Sequence, residues 1–90
     1  MIQTTRIVFH GRVQGVGFRW TTHGLARSMP ICGYVCNLSD GTVEVVAKAT
    51  DTTVRSLVNR LKAHFGDGIT AIELQAIDPA EDFDDFQIRR

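Results

Sequence analysis

The sequence predicts an α+β fold in which two helices cover one face of an antiparallel sheet. Three observations carry this. Apolar residues recur at every second position in several short runs, the pattern of half-buried strands. They recur at helical spacing in two longer runs. Turn residues separate these runs in the order strand, helix, strand, strand, helix, strand, with a short strand at the end.

Residues 6–13, RIVFHGRV, are rich in β-branched and aromatic side chains and read as the first strand. A glycine-rich stretch, GRVQGVGFR (11–19), follows it. Phe18, Thr22, Leu25 and Met29 then fall on one helical stripe. Gly24 within that helix costs up to about 1 kcal/mol relative to alanine, so the helix depends on packing. Pro30 ends it. Residues 31–38, ICGYVCNL, read as the second strand, and Ser39-Asp40-Gly41 supplies hairpin-turn chemistry. Val43, Val45, Ala47 and Ala49 alternate with Thr42, Glu44 and Lys48, giving a third strand with one buried face. Asp51 is the expected N-cap of a second helix whose stripe is Val54, Leu57, Val58, Leu61 and Phe65. Gly66-Asp67-Gly68 stops that helix. Ile72, Leu74 and Ala76 alternate along a fourth strand. A polar loop, DPAEDFDD, leads to a last strand with Phe86 and Ile88 on one side. The order β-α-β-β-α-β is that of the split βαβ, or ferredoxin-like, sandwich, with right-handed crossovers. The pattern does not specify where the last strand pairs.

Ninety residues predict one domain, 1–90. Ten Lys+Arg balance ten Asp+Glu, whereas a nucleic-acid-binding domain carries a basic excess; nucleic acid is therefore not an expected partner. No apolar run reaches the roughly 20 residues of a membrane span, and MIQTTRIVFHG lacks the apolar core of a signal peptide. A cytoplasmic monomer with no membrane partner is the expectation. Cys32 and Cys36, on one face of a strand, stand about 13 Å apart, too far for a disulfide. No second Cys/His pair has zinc-site spacing, so both read as reduced structural thiols and no metal is expected.

The topology locates a candidate site. The first and second strands are joined by a crossover helix and run parallel, so their C-terminal ends share one edge of the sheet. The glycine stretch leaves the first strand there, and Asn37 ends the second. With the third strand between them, the two are roughly 10 Å apart. The first helix also begins at this edge and contributes free amides and a positive dipole end. A flexible glycine loop, a helix N-terminus and an arginine together suit a tetrahedral oxyanion. Arg19 offers a forked contact to two oxygens, and the amides of residues 13–18 can turn inward as a nest. On spacing alone the stretch reads equally well as a tight strand-to-helix turn. It is neither the GxxxxGK[ST] nucleotide loop nor GxGxxG, since Trp20 stands where the third glycine would be.

Other residues read more plainly. Arg12 adds positive potential or is simply solvated. Thr22, one turn after Phe18, either hydrogen-bonds towards Asn37 or packs within the helix. His10 and His23 read as surface or packing residues, and His64 suits the C-terminal end of the second helix. Glu81, Asp82, Asp84 and Asp85 match no EF-hand loop and read as a solvated turn. Phe18 and Trp20 lie at a helix start and read as core packing rather than as a base-stacking platform.

GRVQGVGFR resembles the acylphosphatase signature G-x-V-Q-G-V-x-F-R. GYVCNLSDGTVEVV, further on, resembles the family's G-[aromatic]-V-x-N-x-x-x-G-x-V block, and DFQIRR is similar to its last strand. The resemblance spans essentially the whole chain. Cys36 departs from it where a longer, often basic side chain is usual, and Ala49 where the second block often ends in glycine. The resemblance implies a ferredoxin-like fold and hydrolysis of acyl phosphates to a carboxylate and inorganic phosphate, without cofactor, metal or phosphoenzyme. It implies that Arg19 binds the phosphoryl group, that the backbone of Arg12, Val13, Gln14, Gly15, Val16, Gly17 and Phe18 cradles it, and that Asn37 positions the attacking water. Inorganic phosphate is then a product and competitive inhibitor. Related domains also open a larger carbamoyltransferase; a chain ending at the last strand is expected to be free-standing instead. The alternative expectation is a non-enzymatic ferredoxin-like module that binds an anion, RNA or protein.

Overall fold

The computed structural model describes residues 1–79 and 81–90; Ala80, in the predicted polar loop, lies outside the described residues. The elements are β1 (Ile2–Gly11), α1 (Phe18–Arg27), β2 (Cys32–Asn37), β3 (Val43–Thr50), α2 (Asp51–Phe65), a 3₁₀ turn (Gly66–Gly68), β4 (Ile69–Ile77) and β5 (Phe86–Arg89). The sheet order is β4-β1-β3-β2-β5. The β1, β2, β3 and β4 pairings are antiparallel, and β5 joins the edge parallel to β2, making the sheet mixed. The predicted sandwich is the observed one, and β3 lies between β1 and β2 as expected.

Alternation decides which face is covered. Ile7 and Phe9 of β1, Val35 of β2, and Val43, Val45, Ala47 and Ala49 of β3 point into one core. Phe18 and Ala26 of α1 and Val54, Leu57 and Leu61 of α2 close it from above. The aromatic seam at its centre runs from Phe9 to Phe18, with ring centroids 4.9 Å apart, and on to Phe65 at 4.7 Å. At Gly33 the sheet comes closest to itself. Its φ of 141° and the Val46 carbonyl beside it leave no room for a side chain.

Three boundaries and one burial pattern differ from the sequence reading. β1 starts at Ile2 because β3 and β4 both pair with its threonine-rich beginning. α1 ends at Arg27, and its fully buried stripe is Phe18, Thr22 and Ala26, with Leu25 and Met29 half-buried beside it. The N-cap of α2 is Thr50, not Asp51. Thr50 is still extended, and its Oγ1 accepts from the Thr53 N–H at 3.2 Å. Asp51 occupies the first turn, where its charge suits the dipole, and pairs with Arg55. On β4, Leu74 and Ala76 share the core side of the sheet with Ile7 and Thr5 but remain exposed, whereas Ile69 and Ile72, nearer the end of α2, pack against the core.

The uncovered face of the sheet is held by polar bonds. Glu44 on β3 accepts from Arg6 Nε on β1 at 2.5 Å, from the Tyr34 hydroxyl on β2 at 3.0 Å and from Cys36 Sγ at 3.5 Å. Burial works against the Glu44 carboxylate, but Arg6, Tyr34 and Cys36 outweigh it and hold the pKa below the ordinary glutamate value. Burial, and then the bond to Glu44, pushes Tyr34 up to about 12. Burial is also the first cause of the raised Cys36 pKa, which suits a structural thiol rather than a reactive one.

The depressed Glu44 pKa makes a stability prediction. A carboxyl with a lowered folded pKa stabilises the fold above its unfolded value, about 4.3, and that stability is lost as pH falls through the folded pKa. Glu44→Gln should therefore unfold at lower urea concentration than wild type at pH 7. The gap should narrow steadily below about pH 4, as read from urea midpoints across the acid range.

Candidate active site

The stretch between β1 and α1 is fastened at each end and along its length. At entry, Arg12 N–H donates to the Gly68 carbonyl at 2.7 Å. Val13 and Phe18 are both buried, at 1% and 2% exposure. Between them, Gln14 Nε2 donates to the carbonyls of Leu38 at 2.7 Å and Thr42 at 2.8 Å, tying the loop to the β2–β3 hairpin. Gly15 and Gly17 have φ of 76° and 80°. A Cβ at either would meet nothing within 4 Å, so these glycines answer a backbone conformation and not a lack of space.

This backbone delivers donors and little to satisfy them. Gly17 is the N-cap of α1 and supplies no side-chain cap; its carbonyl accepts from Thr21 N–H at 2.9 Å. Among the described residues, the N–H groups of residues 14–20 find no protein acceptor. The first turn of α1 contains no acidic residue and does contain Arg19. A cation at the positive end of a helix dipole costs a few tenths to about 1 kcal/mol. The combination is unfavourable unless an anion sits there.

Around this helix start lies a cleft of about 230 Å³. It brings together Val13, Gly15, Gly17, Phe18, Arg19 and Asn37, all predicted from sequence. Asn37 stands opposite Val43 on the helix-covered side of the sheet and is half-buried, and its side-chain amide has no protein partner among the described residues. The other predicted positions fall elsewhere. Gln14 lies behind the cleft as the loop's strap, and Arg12 and Val16 are exposed outside it. Thr22 is fully buried and gives its hydroxyl to the Phe18 carbonyl at 2.8 Å, not to Asn37. His10 pairs with Glu73 at 2.6 Å, and Glu81 forks onto Arg89.

Three lining residues were not expected there. Trp20, read from the sequence as core packing, is 76% exposed and forms part of the cleft wall. Its position, two residues after Phe18, turns it away from the buried stripe. Ile88 arrives from β5, and Arg90 from just past its end. The parallel register sets Ile88 beside Val35 and Arg89 beside Cys36, which carries the end of β5 to the end of β2. Arg19 Nη1 reaches the Arg89 carbonyl at 3.5 Å, linking the same strand to the helix start. A larger cavity of about 610 Å³ opens at the opposite end of α1, near Met29, Cys32 and Phe86, away from the glycine loop and the helix N-terminus.

A model of the acylphosphatase family matches residues 5–88. The chain belongs to the acylphosphatase family. It is thereby an enzyme of a family whose reaction is acyl phosphate hydrolysis. An acylphosphatase of Picrophilus torridus is 39% identical over 83 residues, covering 91% of this chain and 96% of the relative. The crystal structure of acylphosphatase from Bacillus subtilis superposes with a TM-score of 0.86 at 32% identity, covering both chains completely. The full-length HypF structure in its phosphate- and nucleotide-bound form contains a similar fold, with a TM-score of 0.85 at 25% identity. All of this chain matches 12% of that one.

The strap makes the next prediction. Gln14→Ala removes both side-chain bonds, but the Leu38 and Thr42 carbonyls keep the Gly41 and Leu38 N–H groups as donors, so it should destabilise the fold by only about 0.5–1.5 kcal/mol. Gln14→Glu, which sets an acceptor against acceptors, should cost more. Urea unfolding of both variants measures the order.

Proposed function

We propose that this acylphosphatase hydrolyses its substrate by direct, metal-independent attack of water on phosphorus. Arg19 and the inward amides after Val13 hold the phosphoryl group. Asn37 orients the water. The observation that carries this reading is Arg19 at an uncapped, acid-free helix N-terminus, sharing one cleft with the unpartnered Asn37 amide. The Arg12 amide drops out of the cradle, since its N–H already donates to the Gly68 carbonyl.

The chemistry needs no more than these groups. As water oxygen bonds to phosphorus, the bond from phosphorus to the acyl oxygen breaks and its electrons leave on a carboxylate. A carboxylate is a weak base and departs unprotonated. The water's protons pass to the phosphate and solvent. Charge in the loose transition state lies on the peripheral phosphoryl oxygens, where a guanidinium fork and preorganised amides act directly. Asn37 can accept from the water and donate to a phosphoryl oxygen, but cannot serve as a base at neutral pH.

Release of phosphate from benzoyl phosphate, with and without EDTA, tests the reading. Fast turnover in both conditions and competitive inhibition by inorganic phosphate are expected. No turnover with phosphate binding retained would return the chain to the anion-binding-module alternative.

Arg19→Lys should lower kcat/KM by about a hundredfold or more and weaken phosphate inhibition, because a point charge replaces a planar fork. Asn37→Ala should lose a similar factor almost entirely in kcat. A rise in KM alone would make Asn37 a binding residue.

A further inference from the structure

We propose that Trp20 and Ile88 form the acyl subsite, and that it favours acyl phosphates with a flat aromatic acyl group. The inference rests on the phosphoryl assignment above and adds the other half of the substrate.

Trp20 is the single tryptophan of the chain. It is 76% exposed, on the helix turn that carries Arg19. An exposed tryptophan becomes informative when a second apolar side chain joins it in one wall. Ile88, 36% exposed, stands in the same wall and comes from a different element. The two were brought together by the β2–β5 register, not by nearness in sequence.

The direction follows from the cradle. Gly15, Gly17 and Arg19 surround the phosphoryl end, so the acyl group must leave along the remaining wall, which Trp20 and Ile88 supply. The cleft, about 230 Å³, extends past the glycines and Arg19 to Trp20, Ile88 and Arg90, more than a phosphoryl group requires. The surplus suits one ring. An indole face prefers an offset-stacked or edge-on aromatic partner, and Ile88 completes an apolar edge. Arg90 lines the same cleft and offers the competing preference, an acyl group bearing a second carboxylate.

The test compares substrates across variants, so that their intrinsic reactivities cancel. Steady-state kinetics are measured with benzoyl, acetyl and succinyl phosphate for wild type, Trp20→Ala, Trp20→Phe and Arg90→Gln. Trp20→Ala should lower the benzoyl-to-acetyl ratio of kcat/KM by about tenfold, the scale of one lost aromatic contact. Trp20→Phe should restore most of it. Equal losses on both substrates, or a ratio that does not move, would overturn the proposal. So would a preference governed by Arg90→Gln and strongest for succinyl phosphate.

A binding readout is independent of turnover. Phenylphosphonate should bind wild type more tightly than methylphosphonate and shift Trp20 emission to the blue, whereas inorganic phosphate should shift it little. Identical affinities with unmoved emission would also overturn the subsite. If wild type hydrolyses none of the three substrates, the catalytic reading fails, and this titration still decides whether the aromatic subsite exists.

Discussion

Phe18 is the residue on which the rest of the structure leans. Its ring sits between Phe9 of β1 and Phe65 at the end of α2, at 4.9 and 4.7 Å, and is almost completely buried. Because Phe18 is also the first residue of α1, the core fixes the place where the helix begins. Val13 does the same at the other end of the loop. A segment with glycines at 15 and 17 would otherwise be too free to hold a ligand at low entropic cost. Two buried anchors and the Gln14 strap remove that freedom while leaving the amides between them pointing at no protein acceptor.

The electrostatics of the site run against stability, and the fold accommodates this locally. Gly17 contributes no side-chain cap, the first turn has no acid, and Arg19 adds charge of the dipole's own sign. Helix α2 has the opposite arrangement: a threonine cap, Asp51 in its first turn, and Lys62 and His64 in its last. One chain thus contains both a helix whose N-terminus is capped and charge-matched and a helix whose N-terminus is neither. The contrast argues more strongly for function at α1 than either helix would alone. The polar ties around Glu44 lie on the other face of the sheet, so they use none of the groups that line the cleft.

Most of the fold and two thirds of the cleft wall were legible because the relevant signals are local. Alternation in β3, the stripe of α2 and the hairpin turn at Ser39-Asp40-Gly41 each depend on a few neighbouring residues. Asn37 and Arg19 could be brought to one edge from parallel strands and a helix start alone. The rest was hidden in pairings between distant segments. Nothing local in DFQIRR says that β5 joins β2 in parallel, so Ile88 and Arg90 were not placed beside Asn37. The exposed Leu74 depends on how far the helices extend over β4, which its own alternation cannot reveal. Trp20 was misread because a large apolar residue at a helix start resembles core. Its angular offset from Phe18 was the available signal, and it points away from the buried stripe. Thr22 had two readings, a bond towards Asn37 or packing within the helix; a helical threonine has the carbonyl four residues earlier within reach, and the buried Thr22 uses the Phe18 carbonyl.

The pairing of β5 matters more to the site than its length suggests. Without it, β2 would be the sheet edge, Asn37 would have solvent on one side, and the Arg19 guanidinium would lose the Arg89 carbonyl. The strand is held by a parallel ladder to β2, by the Gly33 N–H donating to the Asp85 carbonyl, and by Phe86 entering the core. On the open face Arg89 stacks 4.2 Å over the Tyr34 ring while Glu81 forks onto it. The strand therefore presents Arg89 to one face as a structural clamp and Ile88 to the other as cleft wall, with Arg90 joining that wall just past the strand's end. Alternation along one short strand is what lets consecutive residues divide those tasks.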